Sequence, residues 1–196
     1  MKITDYDYVI YSDGGVAADG TAAAATIVEI KKRNDILNTD LRKRKIVHYL
    51  GNRGISAMEA EIFAGIVGLG LINSIEKNAS RMAELNNMKM ERPRVLWCCD
   101  NKVVVDSAET FVKKWKSNDW KNAGNKRVAY IKLWKEFLKL SKKMDLDTRY
   151  VKSHSGNKQN EACDKACRWV QKKGMGATKD AGENGVGVWL LIDSSS

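Results

Sequence analysis

The chain alternates short, unbroken apolar runs with longer stretches of helical period. Tyr8–Tyr11 is the first run, apolar, β-branched and aromatic, the composition of a strand buried on both faces. It stops at Asp13, where an acid followed by Gly14 and Gly15 predicts a sharp turn. Thr21–Ile30 predicts a second strand, weakened by its four alanines, and Ile46–Leu50 a third. From Ser56 the period changes: Met58, Ile62, Gly65, Ile66, Leu69 and Ile72 recur on one helical face. Phe63, Val67 and Leu71 fall outside that stripe, so this helix is expected between two layers. It can run on through Asn73–Leu85 to a connecting loop at Asn86–Arg92. Arg94–Cys99 predicts another buried strand, and residues 101–121 read as helical pieces. Val128–Met144 is amphipathic, with Ile131, Trp134, Phe137 and Leu138 opposing Lys132, Lys135, Lys139 and Lys142. Asp147–Lys152 predicts a short strand. Asn160 or a near neighbour is expected to cap a final helix that reaches about Lys173.

Beyond that point the pattern loosens. Residues 174–187 contain five glycines and read as a linker, and Val188–Ile192 is an apolar run suited to a docking strand or a partner's anchor. The expected organisation is one domain over residues 1–173 and a Gly-rich tail over 174–196. A length of 196 residues with 43% apolar content supports a packed core.

Charge changes the picture more than composition does. The formal net charge is +10, which points to a polyanionic partner. Residues 31–45 hold seven basic and two acidic side chains and read as a polar hairpin loop. Residues 113–127 hold six basic and one acidic, interleaved with Trp115 and Trp120. Lysines alternating with indoles suit a surface that tracks a phosphate backbone; the same indoles also serve as core anchors for a short helix. Cys98, Cys99, Cys163 and Cys167 lack the paired spacing of a zinc site and read as small buried thiols. With no apolar signal region and no apolar run near the ~20 residues of a membrane span, the expectation is an intracellular, cytoplasmic protein of a reducing compartment, away from membranes.

The candidate chemistry lies in acids. Asp13 and Asp100 each close a buried strand, and sites in open α/β sheets gather at the carboxyl ends of strands. Asp164 falls in the first turns of the last helix, ten residues after His154 in a glycine-containing loop. Glu59 and Glu61 flank the apolar stripe of the long helix on either side, and periodicity does not choose between them.

In its motifs the chain resembles the ribonuclease H family, specifically the type 1 cellular enzymes with a basic protrusion. The match is carried by Ile10–Gly15, Ala60–Leu69, Val95–Asp100, Trp115–Trp120 with its lysines, Leu133-Trp134, and Val151–Gly156 through Asn160–Asp164. The resemblance implies an α/β ribonuclease H-like fold, a five-stranded mixed sheet with helices on both faces. It places the family's catalytic glutamate on Glu61, so that Asp13, Glu61, Asp100 and Asp164 would hold two Mg²⁺, with Mn²⁺ as a substitute. His154 would assist proton movement or product release. The implied activity is hydrolysis of the RNA strand of an RNA–DNA hybrid, by a monomer. Lys102, Lys113, Lys114, Trp115, Lys116, Trp120, Lys121 and Asn160 are the expected substrate-binding residues. Four carboxylates this close are expected to repel one another, leaving the site partly disordered or protonated without metal. Other nuclease or strand-transfer enzymes of the same fold, and a binding module without catalysis, are the competing classes. Three positions depart from the family pattern: Ala57 and Met58 stand where two asparagines are usual, and Lys102 where a glutamine is common.

Overall fold

A computed structural model describes residues 2–32, 43–51, 54–173 and 187–191. Most of the charged hairpin loop and most of the Gly-rich linker lie outside the described residues. The strands are β1 (Tyr8–Val16), β2 (Ala22–Ile30), β3 (Lys43–Gly51), β4 (Arg94–Cys99), β5 (Asp145–Tyr150) and β6 (Gly187–Leu191). They form one mixed sheet in the order β5-β4-β1-β2-β3-β6. The β1–β4 and β4–β5 pairs are parallel, and β1–β2, β2–β3 and β3–β6 are antiparallel. The sheet therefore has one strand more than the expected five. The terminal apolar run supplies it by pairing with β3, with Val188 opposite His48, which covers an edge that β3 would otherwise leave open.

Helices α1 (Ala57–Leu85), α2 (Lys102–Asp106), α3 (Val112–Ser117), α4 (Ile131–Ser141) and α5 (Lys158–Lys173) flank the sheet, and a π-helical turn over Ser107–Phe111 joins α2 to α3. Side chains alternate along each strand, so β1 feeds two cores. Tyr8 and Ile10 pack with Ile62, Leu69, Trp97, Trp134 and Phe137 on the α1 and α4 face. Val9 and Tyr11 pack with Leu96, Cys98, Cys163 and Val170 on the α5 face. Helices cover both faces, as expected, and all four cysteines are buried and free.

The alanines that weaken β2 as a strand have a packing reason. Ala22 and Ala24 meet Ala60 and Ala64 of α1, while Ala23 and Ala25 lie in the α5 core. Small side chains on both faces let two helices approach the middle of the sheet closely. The Thr26 hydroxyl donates to the Ala64 carbonyl at 2.6 Å across this contact. Gly65 serves the same purpose against β4: a Cβ there would overlap the Trp97 ring.

Some boundaries differ from expectation. β1 does not turn at Gly14-Gly15 but continues to Val16, paired against Ala22–Ala25. The chain reverses only at Ala17–Thr21. β5 lies two residues earlier than its apolar pattern suggests. By length and composition alone α1 could cross a membrane, contrary to the expectation that no stretch would qualify; it is the core helix of the α/β fold, more than half buried.

Candidate active site

The acids arrive from four elements. Asp13 stands within β1, opposite Ala25 of β2. Gly14 beside it lets α1 cross β1 closely, since a Cβ at Gly14 would overlap the backbone of Ala60 and Glu61. The glycine thus serves a close approach of helix to strand, not a turn. That approach delivers Glu61 to Asp13: Glu61 is 7% exposed and is electrostatically coupled to Asp13 and Asp100. Glu59 faces a different hollow, lined also by Arg127 and Tyr130. The two glutamates that helical period left equivalent are separated by burial. Ser56 caps α1 through its hydroxyl, which accepts from the Glu59 amide at 3.1 Å, fixing where the first turn begins.

Asp100 follows β4 directly, and Asn101 caps α2 by accepting from the amides of Val103 and Val104. Asp164 sits on α5. The cap of that helix is Asn157, whose Oδ1 accepts from the amides of Gln159 and Asn160 at 3.2 Å. Asn160 is thereby free of cap duty, and its buried Nδ2 donates to Asp100 Oδ2 at 2.9 Å. Its Oδ1 has no partner among the described residues. Arg168, one turn beyond Asp164, pairs with it at 2.8 Å.

The electrostatics of the cluster follow from burial and like charge. Asp13 is pushed up to about 7, by burial first and then by Asp100 and Asp164, against relief from the Gly14 amide and Arg168. Burial, Asp13 and Asp100 likewise raise Glu61 well above the usual carboxylate range. These shifts describe an acidic cluster short of positive charge, and a divalent cation is the species that supplies it.

Glu61, Cys99 and Asp100 each offer a ligand atom within 4.8 Å of one another. Burial holds the Cys99 thiol protonated, and it donates to Glu61 Oε2 at 3.6 Å, so it supports the carboxylate as a donor. Sequence reasoning missed Cys99 and Arg168 in these roles, while its capping expectation, Asn160 or a near neighbour, falls on Asn157. Arg168 was readable from its i,i+4 spacing to Asp164; strand alternation toward Glu61 was the only signal for Cys99.

His154 is exposed on the loop before α5 with a left-handed φ of 53°. Lys102 is exposed and pairs with Asp106 at 3.0 Å. Lys113, Lys114, Lys116 and Lys121 are exposed on the protrusion. Trp115 and Trp120 turn inward against the α1 and α4 core. Trp115 stacks on Phe111 and meets Trp134 edge-on, at centroid distances of 5.9 and 6.1 Å. The indoles thus anchor the protrusion while its lysines face solvent.

The fold is thus an α/β sheet with carboxylates gathered near the carboxyl ends of β1 and β4 and one further acid from each of two flanking helices. The particular family follows from comparison: the RNase H family model matches residues 5–171, and the chain belongs to that family. It is 34% identical to "Ribonuclease HI" of Synechocystis sp. over 85 residues, covering 43% of this chain and 52% of that protein. Over a longer span it is 26% identical to a ribonuclease H of Treponema denticola, across 80% of this chain and 91% of that protein. Among solved structures, a foamy viral protease-reverse transcriptase in complex with an RNA/DNA hybrid aligns with a TM-score of 0.63 at 18% identity. That alignment covers 89% of this chain and 21% of the viral one. The chain spans about half the length of the first curated relatives it matches.

Proposed function

We propose that this chain is an endonuclease that hydrolyses the RNA strand of RNA–DNA hybrids, with Asp13, Glu61, Asp100 and Asp164 holding two Mg²⁺. The observation that carries this reading is the convergence of acids from separate elements of a ribonuclease H family chain: Asp100 and Asp164 act on Asp13, and Asp13 and Asp100 act on Glu61. The donor set fits the ions. Carboxylate oxygens suit a hard cation, and the unpartnered Asn160 Oδ1 leaves an acceptor beside Asp100 for a hydrated one. When bound, such ions would supply an activated water and charge stabilisation for the departing oxygen.

The chain's own residues do the rest. Asn160 fixes the orientation of Asp100, and Cys99 that of Glu61. Arg168 pairs with Asp164 and favours the ionised form of the acids beside it. His154, exposed on the loop before α5, would assist proton movement or product release. The exposed lysines of the protrusion grip strand phosphates. The family name of the relatives and the hybrid held by the viral neighbour support the choice of substrate. A hybrid displays 2′-hydroxyls in its minor groove, so the strand to cut is distinguishable without base reading. Ala57 and Met58 bring no side-chain amide to that groove, and Met58 packs toward the core, which leaves the backbone to make such contacts.

The test is cleavage of a labelled hybrid beside duplex DNA and duplex RNA, by the natural chain and by Asp13→Asn. The amide keeps the shape and removes the charge, so cutting of the hybrid is expected to fall by at least a hundredfold with hybrid binding retained. Equal cutting by both proteins, or cleavage of all three duplexes alike, would end the proposal.

A further inference from the structure

The outer face of α4 is a basic surface that the proposed function does not use. Lys132, Lys135, Lys139 and Lys142 stand three or four residues apart and all are exposed, while Trp134 and Phe137 bury the opposite face of the helix. The one acid among residues 131–143 is Glu136, paired with Lys139 at 3.1 Å. Like charges at these spacings repel, so the row gains from an anionic partner laid along it.

Three contacts tie the row to the rest of the site. Lys132 lines a hollow with Arg127 and Tyr130, and the Tyr130 hydroxyl lies 2.6 Å from the Ser56 hydroxyl that caps the helix carrying Glu61. The Lys135 ammonium sits 5.6 Å from the ring centroid of Trp120, inside the protrusion. Lys142 shares a cleft of about 1010 Å³ with Lys113 and Lys116 of the protrusion. Of the acids on that cleft, Asp145 is paired with Arg92 at 2.9 Å, Asp147 accepts from the Tyr6 hydroxyl at 2.8 Å, and Glu109 faces the lysines. The row therefore starts beside the first turn of α1, passes the protrusion and ends in a cleft the two share.

We infer that the outer face of α4 is a second phosphate-binding surface, continuous with the protrusion, that lengthens the stretch of duplex the chain holds. The choice of a hybrid duplex rests on the function proposed above. Ten residues of helix separate Lys132 from Lys142, a span of about 15 Å, or roughly four phosphates of one strand at about 3.4 Å of axis each. A duplex too short to leave the acidic site would miss the row.

The experiment measures binding of the full chain to hybrids of about 24 and about 8 base pairs in EDTA, where no cleavage occurs, across a salt series. Replacing Lys132, Lys139 and Lys142 together by Gln should lower the slope of log affinity against log salt by about 2–3 on the long hybrid, at roughly 0.9 per lost contact. The slope on the short hybrid should not change. The triple Lys→Arg variant keeps the charge and should restore the long-hybrid slope, which separates loss of charge from loss of folding. An unchanged slope on the long hybrid, or an equal fall on both lengths, would overturn the inference. Failure of the natural chain to cut any hybrid would instead overturn the proposed function, because binding is read without metal.

Discussion

Asp13 sits where its charge is least welcome, in a strand and beside two other acids, and it is held at about 7. In the unfolded chain it would return to the usual carboxylate range. A folded value raised above the unfolded one means the native state keeps a proton that the unfolded state has shed. Stability is therefore lost as pH rises from the carboxylate range to about 7, by at most about 1.4 kcal/mol per pH unit for each such group. Glu61 is raised in the same direction. Without divalent ions, the urea midpoint should be higher at pH 5 than at pH 7.5. Asp13→Asn should reduce that difference, and millimolar Mg²⁺ should raise the midpoint most at the higher pH. Identical pH profiles for the natural chain and Asp13→Asn would show that Asp13 is ionised freely in the fold.

At the scale of elements, the site depends on how closely α1 crosses β1. A Cβ at Gly14 has no room against the Ala60 and Glu61 backbone, so Gly14→Ala must push the first turn of α1 away. Overpacking of this kind costs about 1–3 kcal/mol, read as a lower urea midpoint with unchanged slope. Hybrid cleavage should fall further than stability does, because Glu61 moves with the helix; a variant as stable and active as the natural chain would mean that α1 yields at no cost. This contact also explains what the sequence could and could not reveal. The succession of strands and helices along the chain, the long helix and the opposite facing of Cys98 and Cys99 follow from local period and alternation, and all appear in the structure. Gly14-Gly15 reads locally as a turn, since the helix that needs the space begins more than forty residues later. Glu59 and Glu61 are equivalent by helical angle until β1 and β4 are placed beneath one of them. Which asparagine of the expected capping stretch serves is likewise invisible locally: either Asn157 or Asn160 can cap, and only Asp100, at the end of β4, gives Asn160 a different partner. The motif resemblance points to Glu61 and Asp164 because such motifs carry long-range pairings within them, whereas it assigns no role to Arg168 or Cys99.

The whole molecule carries a net charge of +10 around an acidic centre; on the proposed function this would draw a polyanion in and oppose it at the point of chemistry until cations bridge the two. The protrusion contributes exposed lysines to that field. Its indoles hold it to the core, so its lysines can be changed without loosening the fold. Reversing Lys113, Lys114 and Lys116 to Glu lowers the net charge from +10 to +4 while leaving the four acids as they are. The Michaelis constant for a hybrid should rise by more than tenfold in low salt with turnover nearly unchanged, since the lost contacts hold the bound substrate and the transition state alike. The gap between variant and natural chain should then narrow as salt rises and screening weakens both. A fall in turnover at unchanged Michaelis constant would instead assign these lysines to the chemical step, and an unchanged affinity at every salt concentration would remove the protrusion from the binding surface altogether.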